Sequence, residues 1–338
     1  MTAGTIRVLY EENCVENESL NLLQPPDEKQ LLSWLAELYG KQVAIADRQL
    51  LRHRDLSLVE RLWITDGLPE TLIYKVVLPP WDVEQDLHER VLIPSICNSA
   101  QLYMTANLGA VAVMFFEDLG SCSLKAGCTT ETALHLGREL SRMHRAFSYR
   151  SNELLESNVL PKLLPADYEK LAQQLASALQ SWQLSDSKQA AELLHVAALL
   201  AGKLAGEPIS LVHGDCYAEN LLLHNNRLFI IDWSWFTFVG APVMDLATVT
   251  MDHLKNGSFA QFSNNVIDAY CFESGRNLDN VKLVLPPARL LSRLLLLHWL
   301  VERRSRGILG TTVGPVDKLI PKVVAELTAK IHFVAADG

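Results

Sequence analysis

Three polar side chains, Asp215, Asn220 and Asp232, stand where short apolar runs begin or end. Leu211-Val212-His213-Gly214-Asp215 closes one run, Asn220-Leu221-Leu222-Leu223 opens the next, and Leu228-Phe229-Ile230-Ile231-Asp232 ends in the second acid. Such a set suits phosphoryl transfer, in which a protein positions a hydroxyl and holds magnesium on phosphates instead of supplying covalent steps. Asp215 is the candidate to orient and deprotonate the acceptor hydroxyl. Asn220 and Asp232 offer the hard oxygen donors that magnesium takes, with phosphates and water completing its octahedron.

The elements that must position these residues are legible nearby. Leu221 to Leu223 and Leu228 to Ile231, joined across Asn225-Asn226, predict a hairpin, because paired asparagines tolerate the backbone angles of its turn. Taken in order, His213-Gly214-Asp215 with Asn220, then Ile231-Asp232-Trp233, then Gly240, Pro242 and Asp245-Leu246-Ala247 resemble the aminoglycoside phosphotransferase and choline kinase family. The resemblance implies an α+β, bilobal, protein-kinase-like fold. A small, mostly antiparallel β amino lobe with one key helix would span 1–120, with a hinge near 116–120, and a larger helical lobe would span 121–338. It further implies ATP as donor, Mg2+, and a small-molecule hydroxyl acceptor such as an aminoglycoside, amino alcohol or sugar. His213 is expected to be a buried histidine bonded to backbone. Asp245 reads either as a helix cap or, by the resemblance, as a buried acid bracing the catalytic loop.

In the amino-terminal part, three strands are predicted at Val43 to Leu51, Leu56 to Thr65 and Thr71 to Leu78. Lys75 lies inside the third, where a lysine is either an edge residue facing solvent or a phosphate ligand; the resemblance implies the second. A helix should start near Asp82, with Gln85 placed for a reciprocal cap. The family pairs its lysine with a glutamate from this helix. Glu89 is expected in that role, since Leu92 and Ile93 at i+3 and i+4 would share its face. Glu84 is the rival, otherwise a solvated acid in the first turn. Strands near Leu102 to Asn107 and Val111 to Phe116 lead into Glu117-Asp118-Leu119-Gly120, where glycine lets the chain bend. By resemblance, backbone groups around Glu117 and Leu119 would bind adenine.

One expected part is missing. The stretch Arg52 to Ser57, between the first two strands, has no glycine, whereas a nucleotide kinase usually has a glycine-containing loop over the phosphates there. Backbone amides, Ser57 or a basic side chain would have to reach the phosphates instead. The alternative reading is a weak or inactive pseudokinase that binds a ligand or partner.

The rest predicts helices over 27–39, from Thr129 or Thr130 to His144, then 166–182, 187–204, 242–254, 259–272, 278–304 and 316–333. Asp245 follows Asp232 by only 13 residues, too short for the regulatory segment of a protein kinase. Trp233, Trp235 and Phe236 are expected to pack, and His135 and His144 to lie beside the core or solvent, not on a metal. Across 338 residues, 49% hydrophobic and 20% charged, the chain can bury a large core. A net charge of -9 argues against nucleic-acid binding and permits a cationic substrate. Six cysteines without C-x-x-C spacing indicate reduced thiols, and no stretch reads as a signal peptide or membrane span. A cytoplasmic protein is expected, with no membrane association and no protein partner indicated.

Overall fold

The computed structural model describes residues 23–251, 259–311 and 314–329. Cys14 and the predicted helix ends at Leu254 and Phe333 lie outside these residues; the other five cysteines are free thiols.

Helix α1 (Glu28–Tyr39) starts where the Asp27 side chain accepts the Gln30 amide at 2.8 Å and stops at Gly40, whose φ of 65° suits glycine. Its buried Leu31, Trp34 and Leu35 pack on Leu58, Leu62, Leu72, Tyr74 and Phe115 of one sheet. That sheet consists of β1 (Ala44–Arg54), β2 (Ser57–Thr65), β3 (Thr71–Val77), β4 (Leu102–Leu108) and β5 (Val111–Glu117), in the order β1-β2-β3-β5-β4. Every neighbouring pair is antiparallel. β3 is central and buried from Tyr74 to Val77, so Lys75 projects from an interior strand. Between β3 and β4 lie α2 (Val83–Arg90) and the short α3 (Pro94–Cys97).

The expected reciprocal cap on α2 does not form: Asp82 makes no side-chain cap bond, and Gln85 donates instead to Glu89 at 3.2 Å. Asp82 has helical backbone angles, φ -61° and ψ -20°, whereas a capping residue is normally extended.

Helices dominate from α4 (Thr130–Ser148) onward: α5 (Ser151–Glu156), α6 (Pro165–Ser181) and α7 (Ser187–Leu204) precede the motif segment. Thr129 and Thr132 form a capping box on α4. A three-stranded sheet follows, made by β6 (Lys162–Leu163), β7 (Ser210–Val212) and, further along the chain, β10 (Phe238–Gly240). β8 (Leu221–His224) and β9 (Arg227–Ile230) form the expected hairpin. Asn225 and Asn226 turn it with φ of 48° and 58°. The chain continues through α8 (Val243–Val249), α9 (Phe259–Ser274), α10 (Leu278–Ser305) and α11 (Val316–Ala329). Although α10 is long and apolar enough to cross a membrane, 56% of its most apolar window is buried inside this protein, as in a core helix.

The sheet and the hairpin are joined near Asn98. Its carbonyl accepts the Ile230 amide at 3.0 Å, its side-chain oxygen accepts Arg227 at 2.7 Å, and its amide donates to Glu139 of α4 at 2.8 Å. The β8-β9 hairpin is thereby tied to the connection between α3 and β4 and to α4, and its Leu222 and Phe229 pack in one cluster with Val77 of β3 and Met114 and Phe116 of β5.

Candidate active site

The motif segment is built around Asp245, fully buried in the first turn of α8. Its carboxylate accepts the amides of His213 at 2.9 Å and Gly214 at 2.8 Å, and His144 Nε2 lies 3.0 Å away. Burial would raise this carboxyl's pKa, but the bond to His144 holds it below the usual range. Asp245 therefore acts as the brace that the resemblance implied. His144 is the partner that the sequence reading missed: it is buried and also meets Tyr270 at 3.2 Å.

His213 is buried and bonded to backbone, as expected. Its Nδ1 accepts the Asp215 amide at 3.2 Å, so Nε2 carries the proton and donates to the Ile231 carbonyl at 3.0 Å. Burial lowers its pKa, in keeping with a neutral ring. One histidine thus ties the loop carrying Asp215 to the strand end carrying Asp232. Gly214, at φ 77°, leaves no space for a side chain, since a Cβ there would meet the Phe236 carbonyl at 2.1 Å.

Asn220 donates through Nδ2 to the Asp215 carbonyl at 2.9 Å and to Asp215 Oδ2 at 3.1 Å. Its Oδ1 is left as the remaining donor to a metal. Burial, then the charge of Asp232, push Asp215 up to about 7. Asp232 is held at φ 64°, a left-handed conformation uncommon outside glycine, which aspartate tolerates better than most residues and which clusters at functional sites.

The cations around Asp232 come from the sheet. Lys75 Nζ lies 2.5 Å from Oδ1, and Arg52 reaches Oδ2 at 3.0 Å and Oδ1 at 3.4 Å. Burial opposes ionisation, yet Arg52 and Lys75 hold Asp232 well below the usual carboxylate range. Burial likewise opposes the charge on Lys75, and Asp232 with Glu84 outweighs it, raising its pKa.

The glutamate that pairs with Lys75 is Glu84, not Glu89. α2 ends at Arg90, so Leu92 and Ile93 lie beyond it and the expected i+3 and i+4 relation to Glu89 does not exist. Glu84 and Leu87 share the inward face and are buried. Glu89 is exposed and accepts Gln85 at 3.2 Å and Thr105 at 2.8 Å. Burial pushes Glu84 up to about 7, against the pull of Lys75.

Two cavities meet at this cluster. One, of about 420 Å3, runs toward the end of β5 and is lined by His88, Phe116, Glu117, Leu119 and Leu222. It brings Glu117 and Leu119 beside Asn220 and Asp232. The Leu119 carbonyl accepts His224 Nδ1 at 3.0 Å, which ties this end of the sheet to the β8-β9 hairpin. The other cavity, of about 200 Å3, is walled by Trp81, Phe236, Leu296, Trp299 and Val323. Arg52, Arg54, Lys75, Asp215, Tyr217 and Asp232 line both. Trp233 is buried packing, as expected, donating to the Ile230 carbonyl at 2.9 Å. Trp235 and Phe236 join an aromatic cluster with Trp81, His298 and Trp299.

The donor set fits magnesium held jointly with phosphates. Among the described residues no group of three or more His, Cys, Asp or Glu forms a metal cage. An ionised Asp232 beside an amide oxygen is nevertheless enough for an ion that keeps phosphate and water ligands.

Residues 117–283 match the model of the phosphotransferase enzyme family. No curated protein matches the sequence. Several solved structures share the fold over most of the chain. An ethanolamine kinase of Plasmodium vivax is 11% identical, with a TM-score of 0.64 over 95% of this chain and 94% of its own. The GDP complex of an aminoglycoside 2'-phosphotransferase-IIIa variant is 14% identical, with a TM-score of 0.64 over 91% and 99%. A spectinomycin phosphotransferase with ADP and spectinomycin is 14% identical, with a TM-score of 0.54 over 90% and 98%. These likenesses establish the protein-kinase-like α+β fold.

Proposed function

Because residues 117–283 match the model of the phosphotransferase enzyme family, we propose that the protein transfers the γ-phosphate of ATP to a hydroxyl group of a small molecule. The observation that carries this reading is the meeting of the two cavities at Asp215, Lys75 and Asp232. A nucleotide in the hinge-side cavity would place its phosphates between Lys75 and Asp232, and an acceptor in the aromatic-walled cavity would bring its hydroxyl to Asp215. Nucleotide complexes of structurally similar phosphotransferases support this assignment. We place the boundary between the nucleotide and acceptor lobes near residues 116–120.

In this mechanism Asp215 orients the hydroxyl and takes its proton, while the Asn220 bond fixes the carboxylate. Lys75, held by Glu84, binds the donor phosphates. Magnesium on Asp232 and the Asn220 oxygen would neutralise phosphate charge as it builds. His213 and Asp245 line neither cavity and position the loop, and Gly214, which borders the acceptor cavity, gives the loop its turn.

The acceptor cavity favours a hydroxylated molecule with an apolar body over a polycation. Its described carboxylates away from the transfer point face arginines, Asp55 with Arg303 at 2.6 Å and Glu326 with Arg293 at 3.9 Å. The face of Trp299 already carries the Arg303 guanidinium, 5.0 Å from its centroid. A cationic acceptor would meet little uncompensated negative charge there.

Asp215→Asn tests the reading. The variant should bind Mg-ATP as the wild type does and lose transfer to any acceptor found for the wild type; retained turnover would remove Asp215 from its role.

A further inference from the structure

The phosphate loop lacks glycine, and the structure puts an arginine in the space it would serve. Arg52 is the third residue from the end of β1, and the turn that follows, Asp55-Leu56, leads directly into β2. This tip is pinned from below. Arg303 of α10 donates to Asp55 Oδ2 at 2.6 Å and to the Gly310 carbonyl. Leu56 is buried, and its carbonyl accepts the Leu78 amide at 2.9 Å. A turn held in this way fixes the strand above Asp232 instead of folding flexibly over a ligand.

Arg52 itself forks onto both oxygens of Asp232, at 3.0 and 3.4 Å, beside Lys75. It lines both cavities, so it stands at their junction. Its buried Nε has no hydrogen-bond partner among the described residues. A guanidinium with a spare buried donor, next to a lysine and facing a cavity, matches the fork geometry that recognises phosphate oxygens. A buried donor without a partner is also costly, which favours a ligand that supplies an acceptor.

We propose that Arg52 is a two-position residue: without nucleotide it occupies the metal-binding carboxylate Asp232, and with nucleotide it turns onto the terminal phosphates and releases Asp232 to magnesium. It would replace the backbone amides of a glycine loop with one side chain, and it would couple metal entry to phosphate arrival. Metal alone must compete with Arg52 for Asp232, whereas metal with nucleotide need not.

This inference rests on the phosphotransfer reading, and the experiment separates the two. Arg52→Ala and Arg52→Lys would be compared with the wild type after near-UV circular dichroism shows each folded. Mn2+ binding, counted by EPR as a stand-in for magnesium, should become at least about threefold tighter in Arg52→Ala, because Asp232 loses a competing cation. ADP binding in EDTA, measured by calorimetry, should weaken at least about tenfold, the size expected when a charged hydrogen bond is lost. Adenosine, which has no phosphate, should bind all forms alike. Arg52→Lys should fall between, keeping charge without the fork. A merely structural role would weaken adenosine as well and would not tighten Mn2+. Unchanged ADP affinity, or Mn2+ affinity that stays level or falls, overturns the assignment of Arg52 while leaving phosphotransfer intact. A folded wild type that fails to bind MgADP overturns both.

Discussion

Lys75 Nζ and Asp232 Oδ1 lie 2.5 Å apart although 157 residues separate them in the chain. The contact joins the central strand of the sheet to the end of the β8-β9 hairpin, and Glu84 completes it from α2. It sets the distance between whatever Lys75 holds and whatever Asp232 coordinates.

Glu84→Gln and Glu89→Gln should therefore behave differently. Loss of the Glu84 charge leaves a buried lysine less well held, which should cost about 1–3 kcal/mol of stability and weaken Mg-ATP binding about tenfold or more. Glu89→Gln, on the exposed side of α2, should change neither by a measurable amount. Thermal melts and calorimetry on the two variants check this; equal effects would return Glu89 to consideration.

Gly214→Ala should be among the most damaging small substitutions in the molecule. The new methyl would sit 2.1 Å from a backbone carbonyl at a φ of 77°, so the loop carrying Asp215 must move or strain by an amount on the order of 1–3 kcal/mol. Transfer should fall much further than nucleotide binding, because the loop places Asp215 and not the base. A variant with wild-type kinetics would show that the loop tolerates a different path.

The histidine His88 predicts a pH effect with a definite sign. Burial, then the charge of Lys75, lowers its pKa from 6.5 to about 3. The unfolded chain takes up a proton near 6.5 and the folded chain does not, so this group destabilises the fold progressively as pH falls from 6.5 toward 3. The slope is at most about 1.4 kcal/mol per pH unit. Denaturant melts between pH 7 and 5 should show a smaller loss in His88→Gln than in the wild type. Identical slopes would mean that His88 gains its proton without cost.

Acceptor choice follows from the wall of the second cavity. In a screen of matched alcohols that share one apolar body, those ending in a neutral group should be phosphorylated with higher kcat/KM than those ending in an amine, and Trp299→Ala should depress both. An aminoglycoside or choline as the preferred acceptor would contradict this reading of the Arg293, Arg303 and Trp299 wall.

Much of this arrangement is legible in the sequence. The hairpin and its asparagine turn, the five strands, and the meeting of Asp215, Asn220 and Asp232 follow from apolar runs with polar ends. Other parts were hidden for physical reasons. Glu84 and Glu89 differ only in which face of a short helix turns inward, and that depends on where the helix ends. The strands β6 and β10 have two and three residues, too few to carry a period. His144 and Arg52 find their partners across long sequence separations, 101 and 180 residues, that no local pattern announces.

The most direct test of the account is calorimetric titration of ATP into the wild type and into Asp232→Ala, with and without magnesium. The account predicts that magnesium tightens binding to the wild type and that Asp232→Ala abolishes that gain while staying folded. Binding that is indifferent to the metal in the wild type, or that keeps its full metal dependence without Asp232, would contradict the assignment of this site to phosphoryl transfer.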